Sequence, residues 1–368
     1  MDFWIKGMDL SSLLEVEECG GIFYDQGKPG DAMEILQGYG MNLIRLRLWN
    51  DPYTSDRQPY GAGTCDLPRV MTLARRAQRL GIRWMLDFHY SDFWADPGKQ
   101  ILPKAWEKMN CEELEAAVYQ YTAATMVTLK EAHLLPAIAS VGNELSNGLL
   151  WPYGKYPNFN NIARFINAAI HAIQKIAPET AVMIHLDNGA KNELYKDWFR
   201  RYFAAGGEDF QYIGLSYYPF WHGKIEGLRQ NMNDIALRYH KDLIIAEASF
   251  GFTLEDYQQQ EQLPADQRKG MASTPELAEK TAYPMTPEGQ CTYIRELADA
   301  IRQVPEGRGK GFIYWEAAWI PVPGSQWANE AALGYIKESG PGGNEWANQA
   351  LFNYEGHALP ALSLIRDL

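Results

Sequence analysis

Eight short apolar runs recur along the chain, each separated from the next by residues of a different period. They are FWIKGMD (3–9), NLIRLRLW (42–49), IRWMLDFH (82–89), PAIASVGNE (136–144), AVMIHLD (181–187), QYIGLSYY (211–218), DLIIAE (242–247) and GFIYWEAAW (311–319). Most are near-continuous rather than alternating, which is the pattern of strands buried on both faces of a parallel sheet. The intervening segments carry helical periods. In 159–176 the residues Ile162, Ile166, Ala169, Ile173 and Ile176 share one face, and Ala177-Pro178 stops the run. In 69–80 the stripe is Val70, Leu73, Ala77 and Leu80, with Gly81 as the C-terminal stop. Residues 112–134 and 292–303 also read as helices.

Strand and helix alternating eight times predict an α/β protein, a (β/α)8 TIM barrel forming a single domain over residues 1–368. No composition shift or Ser/Gly-rich linker marks a second domain. The polar stretch at about 250–288, after the seventh strand, is expected to be a long loop on the active face.

The formal net charge of −12 argues against nucleic acid and against an anionic membrane as partners, since both need a basic face. Twelve Trp and 21 Tyr fit either an aromatic core or a cleft that lays flat rings against sugar C–H faces. The cysteines at 19, 65, 111 and 291 form no C-x-x-C pair and have no clustered His, so no zinc site is expected. No run reaches membrane-spanning length, and no signal peptide precedes the first strand. The chain is then cytoplasmic if it is complete, and secreted if a signal has been trimmed.

In a barrel of this kind the working side chains sit at the C-terminal ends of the strands. Those ends carry Asp9; Arg45 and Arg47; Asp87 and His89; Asn143 and Glu144; His185 and Asp187; Tyr217 and Tyr218; Glu247; and Trp315, Glu316 and Trp319. Two of them, Glu144 and Glu247, end strands four and seven, on walls that face each other. Two carboxyls across a cleft are what glycosidic cleavage needs: one protonates the leaving oxygen, the other attacks the anomeric carbon or activates water. Their surroundings must then differ. Arg45 or Arg47, on one side of strand two, would keep Glu247 ionised, with Tyr217 donating a hydrogen bond to it. Glu144 would be the acid, its pKa raised by the negative charge nearby, and Asn143 would hold a sugar hydroxyl. Parity allows only one of Trp315 and Glu316 to face the barrel, and Trp315 is expected to be that one. Trp84 and Trp198 read as core.

The motifs KGMDLSSL (6–13), MNLIRLRLWNDPY (41–53), LDFHYSDFWADPGKQILPKAW (86–106), VGNELSNGLLWP (141–152), HLDNG (185–189), LSYYPFW (215–221), AEASFGFT (246–253) and YWEAAW (314–319) together resemble glycoside hydrolase family 53, the endo-β-1,4-galactanases of clan A. The resemblance runs from residue 3 to 319. It implies a retaining, endo-acting hydrolase of β-1,4-galactan, the side chain of pectic arabinogalactan, with Glu144 as acid/base and Glu247 as nucleophile. It implies Asn143 on the 2-hydroxyl, and Tyr217 and the two arginines around the nucleophile. Trp94, Trp221, Trp315 and Trp319 become candidates for stacking on galactose. Galactose has an axial 4-hydroxyl, so polar contacts from one side are needed, and His89, Asp92, His185 and Asp187 are candidates for them. No cofactor is implied. Two departures stand out: ASFGFT places Phe250 where the family often has Tyr, and LEDYQQQEQLPADQRKGMAS (254–273) lacks the clustered short oxygen ligands of the calcium site that bacterial members can hold.

Three other readings compete. A clan A mannanase or glucanase keeps the chemistry and changes the sugar. A non-catalytic carbohydrate-binding barrel has no need of the glutamate pair. A metal-dependent hydrolase needs a ligand cluster that the sequence does not display.

Overall fold

The computed structural model describes residues 4–255, 257, 274–340, 342–344 and 346–368. Eight strands correspond to the eight apolar runs: β1 (Ile5–Asp9), β2 (Leu43–Leu48), β3 (Arg83–Phe88), β4 (Ile138–Val141), β5 (Ala181–Leu186), β6 (Tyr212–Ser216), β7 (Asp242–Ala248) and β8 (Gly309–Tyr314). Each pairs in parallel with its neighbours in sequence, and β1 closes the ring against β8. This is the (β/α)8 barrel that the sequence predicts.

The helix over 159–176 is Phe159–Ile176, as its apolar face and Pro stop require. Two other helices start earlier than their apolar stripes suggest, because capping groups precede the stripe. Asp66 caps Leu67–Arg79, and Thr286 caps Pro287–Arg302 with Pro at the first helical position. Cys111–Glu131 opens on a capping box made by Asn110 and Glu113. Three features carry no apolar run of their own: the hairpins Phe23–Asp25/Lys28–Gly30 and Gly148–Leu149/Gly154–Lys155, and the C-terminal helix Pro360–Asp367. Of the expected loop at 250–288, residue 256 and residues 258–273 lie outside the described residues, and with them most of the stretch weighed for calcium.

Two cores result. The larger lies between the barrel and its helices. The smaller fills the barrel's lower interior with Ile5, Leu43, Met85, Ile138, Met183, Tyr212, Ile244, Ala246 and Ile313, at least one residue from each strand and all buried. Period-2 alternation therefore aims Asp9, Arg45, Arg47, Asp87, His185 and Ser216 inward one or two layers higher. Strand β7 breaks that rule. Ala246 belongs to the lower core, so Glu247 ought to face the helices. The pairing with β6 slips at this point, Leu215 opposing Ile245 and Ser216 opposing Glu247. A bulge of this kind re-aims one side chain, and here it turns Glu247 into the barrel.

Candidate active site

Arg45 is the hub of the polar layer. Its Nη1 lies 2.7 Å from Asp9 Oδ2, and its Nη2 lies 2.7 Å from Asp87 Oδ2, 2.9 Å from Asn143 Oδ1 and 2.7 Å from Glu247 Oε1. All of this is buried. A guanidinium is the one side chain that satisfies several carboxylates at once without losing its proton. The choice between the two arginines is thereby settled: Arg45 faces Glu247. Arg47 instead meets Glu316 at 2.5 Å and Asp9 at 3.3 Å, and its guanidinium stacks 4.3 Å from the ring centre of Trp94.

Glu247 takes its second contact from Tyr218, whose hydroxyl donates to Oε2 at 2.9 Å. Tyr217 does not fill that place. It donates to Gly223 O at 2.8 Å, and its ring packs against Tyr293 on the outer side of the barrel. Parity explains the correction: Tyr212 fills the barrel interior and Ser216 points inward, so Tyr218 does too and Tyr217 cannot.

Asn143 and Glu144 sit beyond the end of β4 on a turn held from three sides. Gln100 donates to Asn143 O at 2.8 Å, Asn143 Nδ2 donates to Ala95 O at 2.9 Å, and Trp198 Nε1 donates to Leu145 O at 2.8 Å. Gly142 has φ +83°, and a Cβ there would lie 2.7 Å from Leu145 Cδ2, so glycine is required. Glu144 itself has φ 51° and ψ 58°, the left-handed region that non-glycine residues avoid. The turn spends that strain on aiming one carboxyl into the cleft.

The electrostatics divide the two glutamates. Burial raises the pKa of both. Glu144 is pushed well above the usual carboxylate range by burial and by Glu247 and Asp187, with no cation in contact. Glu247 is raised by burial as well, but Arg45 and Tyr218 pull it back. Glu247 is accordingly the one ionised and Glu144 the one protonated when the pair holds a single proton. Burial also opposes charge on Asp87, but Arg45 and His89 bring that carboxyl down to about 2.

A cavity of about 560 Å³ opens above this layer. Glu144, Glu247, Asn143, Arg47, His89, Asp187, Tyr218, Trp94, Trp221 and Trp315 all line it. His89 is held neutral: its Nδ1 accepts from Trp49 Nε1 and Ala95 N, both at 3.1 Å, and burial lowers its pKa. Trp315 lines the cavity as expected. Glu316 does not face the helices, however, because its left-handed backbone (φ 49°) turns it under the mouth onto Arg47 and Ser12, where parity no longer applies.

Four candidates stand elsewhere. Asp9 and His185 are buried beneath the lining, as supports. Asp92 is a brace: Oδ1 accepts from Asp51 N at 2.9 Å and Oδ2 from Lys104 N at 2.7 Å, so both oxygens are used inside the protein. Trp319 is fully buried, packing behind Trp94 and Trp315 with its Nε1 on Ser325, and so it shapes the platform without touching the cavity. Trp327, Trp346, Lys99 and Glu338 also line the cavity, and only the folded loops bring them there. Among the described residues no group of three or more His, Cys, Asp and Glu has a metal-holding arrangement, and no helix is long and apolar enough to cross a membrane.

Comparison with known proteins agrees with this geometry. The profile of Glycosyl hydrolase family 53 matches residues 5–365. The chain is 32% identical over 383 residues to "Endo-beta-1,4-galactanase" of Bacillus subtilis, covering 99% of this chain and 85% of that one. It is 33% identical over 324 residues to "Arabinogalactan endo-beta-1,4-galactanase" of Humicola insolens, covering 86% and 90%. The solved "Ignisphaera aggregans GH53 catalytic domain" superposes with TM-score 0.89 at 37% identity, covering 99% of this chain and 95% of that one. The match extends over nearly the whole barrel at this level of identity, and the chain belongs to glycosyl hydrolase family 53.

Proposed function

We propose that the protein is an endo-β-1,4-galactanase that hydrolyses β-1,4-linked galactan with retention, Glu247 acting as nucleophile and Glu144 as acid/base. The relatives named as galactanases support the substrate. The observation that carries the assignment of roles is the asymmetry of the pair. One carboxylate of the cavity is gripped by Arg45 and Tyr218, and the other stands half-buried in the cavity wall with no cation in contact. Glu144 protonates the glycosidic oxygen while Glu247 attacks the anomeric carbon. Glu144 then takes a proton from the water that releases the covalent galactosyl enzyme. Asn143, with Oδ1 engaged by Arg45 and its backbone pinned, borders the sugar bound between the two carboxyls. The tryptophans of the cavity wall supply stacking faces.

Glu247→Ala is expected to lower turnover on linear galactan by roughly 10⁴-fold or more, with a much smaller change in binding. Azide should restore activity and yield the α-galactosyl azide. Product anomers followed by NMR test the stereochemistry: initial release of the α-anomer overturns retention. Turnover of mannan or carboxymethylcellulose without galactan would favour the other sugars of the clan. Undiminished galactan turnover in Glu247→Ala would overturn its assignment as nucleophile, and no turnover of any glycan by the wild type would leave only a binding role for the pair.

A further inference from the structure

Glu15 is a buried carboxyl that lines no part of the cavity. It stands on the short helix Leu13–Glu18 that follows β1. Both its oxygens are taken by main-chain donors, and the donors belong to two different loops. Oε2 accepts from Gly63 N at 2.9 Å, in the segment 49–66 after β2. Oε1 accepts from Gln326 N at 3.1 Å, in the segment 315–329 after β8. The two loops also meet directly: Ala62 N donates to Gln326 O at 2.6 Å, and Asn329 N donates to Tyr60 O at 3.0 Å. Glycine permits this approach. Gly61 has φ +93°, and a Cβ on it would lie 2.9 Å from Gln326 O; on Gly63, with φ +83°, a Cβ would lie 2.3 Å from Ser11 O.

The residue after Gln326 is Trp327, and it does line the cavity. Its own peptide groups are committed as well: N donates to Gly343 O at 2.7 Å, and O accepts from Trp94 Nε1 at 3.1 Å. Trp94 lines the cavity too, with the Arg47 guanidinium 4.3 Å from its ring centre. A chain of contacts thus leads from Glu15 through Gln326 and Trp327 to Trp94. We propose that Glu15 is a positioning residue for substrate: its carboxylate clasps Gly63 and Gln326 and so sets Trp327, and through it Trp94, against the bound glycan. A carboxylate suits the task because two N–H groups converge on it and each of its oxygens accepts. Glutamine offers one acceptor oxygen and turns an NH2 group toward the other N–H. A buried N–H left without an acceptor is costly, so the two loops shift apart. An indole that moves with them gives up part of its van der Waals contact with a sugar face. Neither Glu144 nor Glu247 belongs to this chain of contacts, so binding changes and the chemical step does not.

The proposal rests on the cavity binding galactan, and the two fail separately. Glu15→Gln keeps the shape of the side chain and should raise KM for linear galactan about tenfold, with kcat within about twofold of the wild type. A brace that served stability alone would lower the unfolding midpoint and leave the KM of the folded enzyme unchanged, and that result overturns the proposal. In a Trp327→Ala background Glu15→Gln should have no further effect on KM. Effects that multiply would mean that Glu15 does not act through Trp327, and would overturn it too. If Glu15→Gln does not fold, Glu15→Asp takes its place with the same expected rise in KM, since it keeps the charge and draws the carboxylate back by one methylene. The full chain carrying 5-fluorotryptophan gives a reading that needs no substrate. The Trp327 fluorine resonance, identified by its absence from Trp327→Phe, should be displaced in Glu15→Gln, and an unmoved resonance overturns the clasp. A wild type that turns over no galactan defeats the substrate reading instead, and the Trp327 resonance still judges the clasp.

Discussion

Arg45 and Arg47 stand two residues apart on β2, both buried inside the barrel, and both bind Asp9. Each also holds a glutamate from further round the ring, Arg45 holding Glu247 near the end of β7 at 2.7 Å and Arg47 holding Glu316, just past β8, at 2.5 Å. The sequence alone leaves open which of the two arginines faces Glu247. They part company in what lies above them. Glu247 borders the cavity, with Tyr218 on its other oxygen. Glu316 is closed off from the cavity, its other oxygen engaged by Ser12. Arg45 is shared among three carboxylates and an amide, whereas Arg47 turns one face to Trp94 and so steadies an aromatic wall. On the proposed mechanism the same local chemistry is a reacting centre in one place and a strut in the other, and access to the cavity decides which.

The largest difference is expected when the arginines are removed in turn. Arg45→Leu leaves Asp9, Asp87 and Glu247 buried without their shared cation. Breaking a buried ion pair in this way costs about 3–5 kcal/mol, and activity should be lost with it. Arg47→Leu is milder, because Glu316 can take up a proton: burial has already lifted its pKa to about 7 despite Arg47. Urea unfolding at neutral pH and galactan hydrolysis measure both effects. Equal losses in the two variants would break the comparison. Arg45→Lys should not rescue, since one ammonium cannot reproduce the fork.

The neighbouring tyrosines sharpen the point at smaller scale. Tyr218→Phe removes a donor to the ionised Glu247. Hydrogen bonds to charged groups are worth about 1.5–3 kcal/mol, so kcat should fall between about 10-fold and 150-fold with folding intact. Tyr217→Phe removes a neutral bond to Gly223 O and should cost about 1 kcal/mol of stability with kcat unchanged. Steady-state kinetics and thermal unfolding of the two variants separate them, and a kinetic loss confined to Tyr217→Phe would reverse the assignment.

The eight strands were legible because burial on both faces leaves continuous apolar runs, and Asn143-Glu144 and Glu247 because ionisable residues at the ends of such runs are conspicuous. What escaped has physical reasons. Tyr218 rather than Tyr217 follows from parity once Tyr212 is known to fill the barrel, but the bulge on β7 makes the opposite residue, Glu247, break parity, and no residue type signals that slip. Glu316 and Glu144 lie on left-handed turns, where alternation has no meaning. Trp327, Trp346, Lys99 and Glu338 reach the cavity through loops that carry no period. Asp92 and Trp319 sit in the right motifs but on the wrong side of them, one bracing two loops and the other backing the aromatic wall.

The smallest effect expected is that of Glu316→Gln, and it isolates the strut. With a pKa of about 7 in the folded protein against 4.5 for an ordinary glutamate, this carboxyl binds its proton more tightly folded than unfolded. Its contribution to stability is therefore fully present below about pH 4.5 and is lost as the pH rises to about 7. Glutamine keeps the shape and carries no titrating proton. Unfolding free energy measured between those pH values should fall less steeply in the variant than in the wild type, Glu144 and Glu247 accounting for the slope that remains. Turnover should stay within about tenfold, because no atom of Glu316 meets the cavity. A loss approaching that of Glu247→Ala would mean that Glu316 acts on substrate after all, and the division between reacting centre and strut would fail.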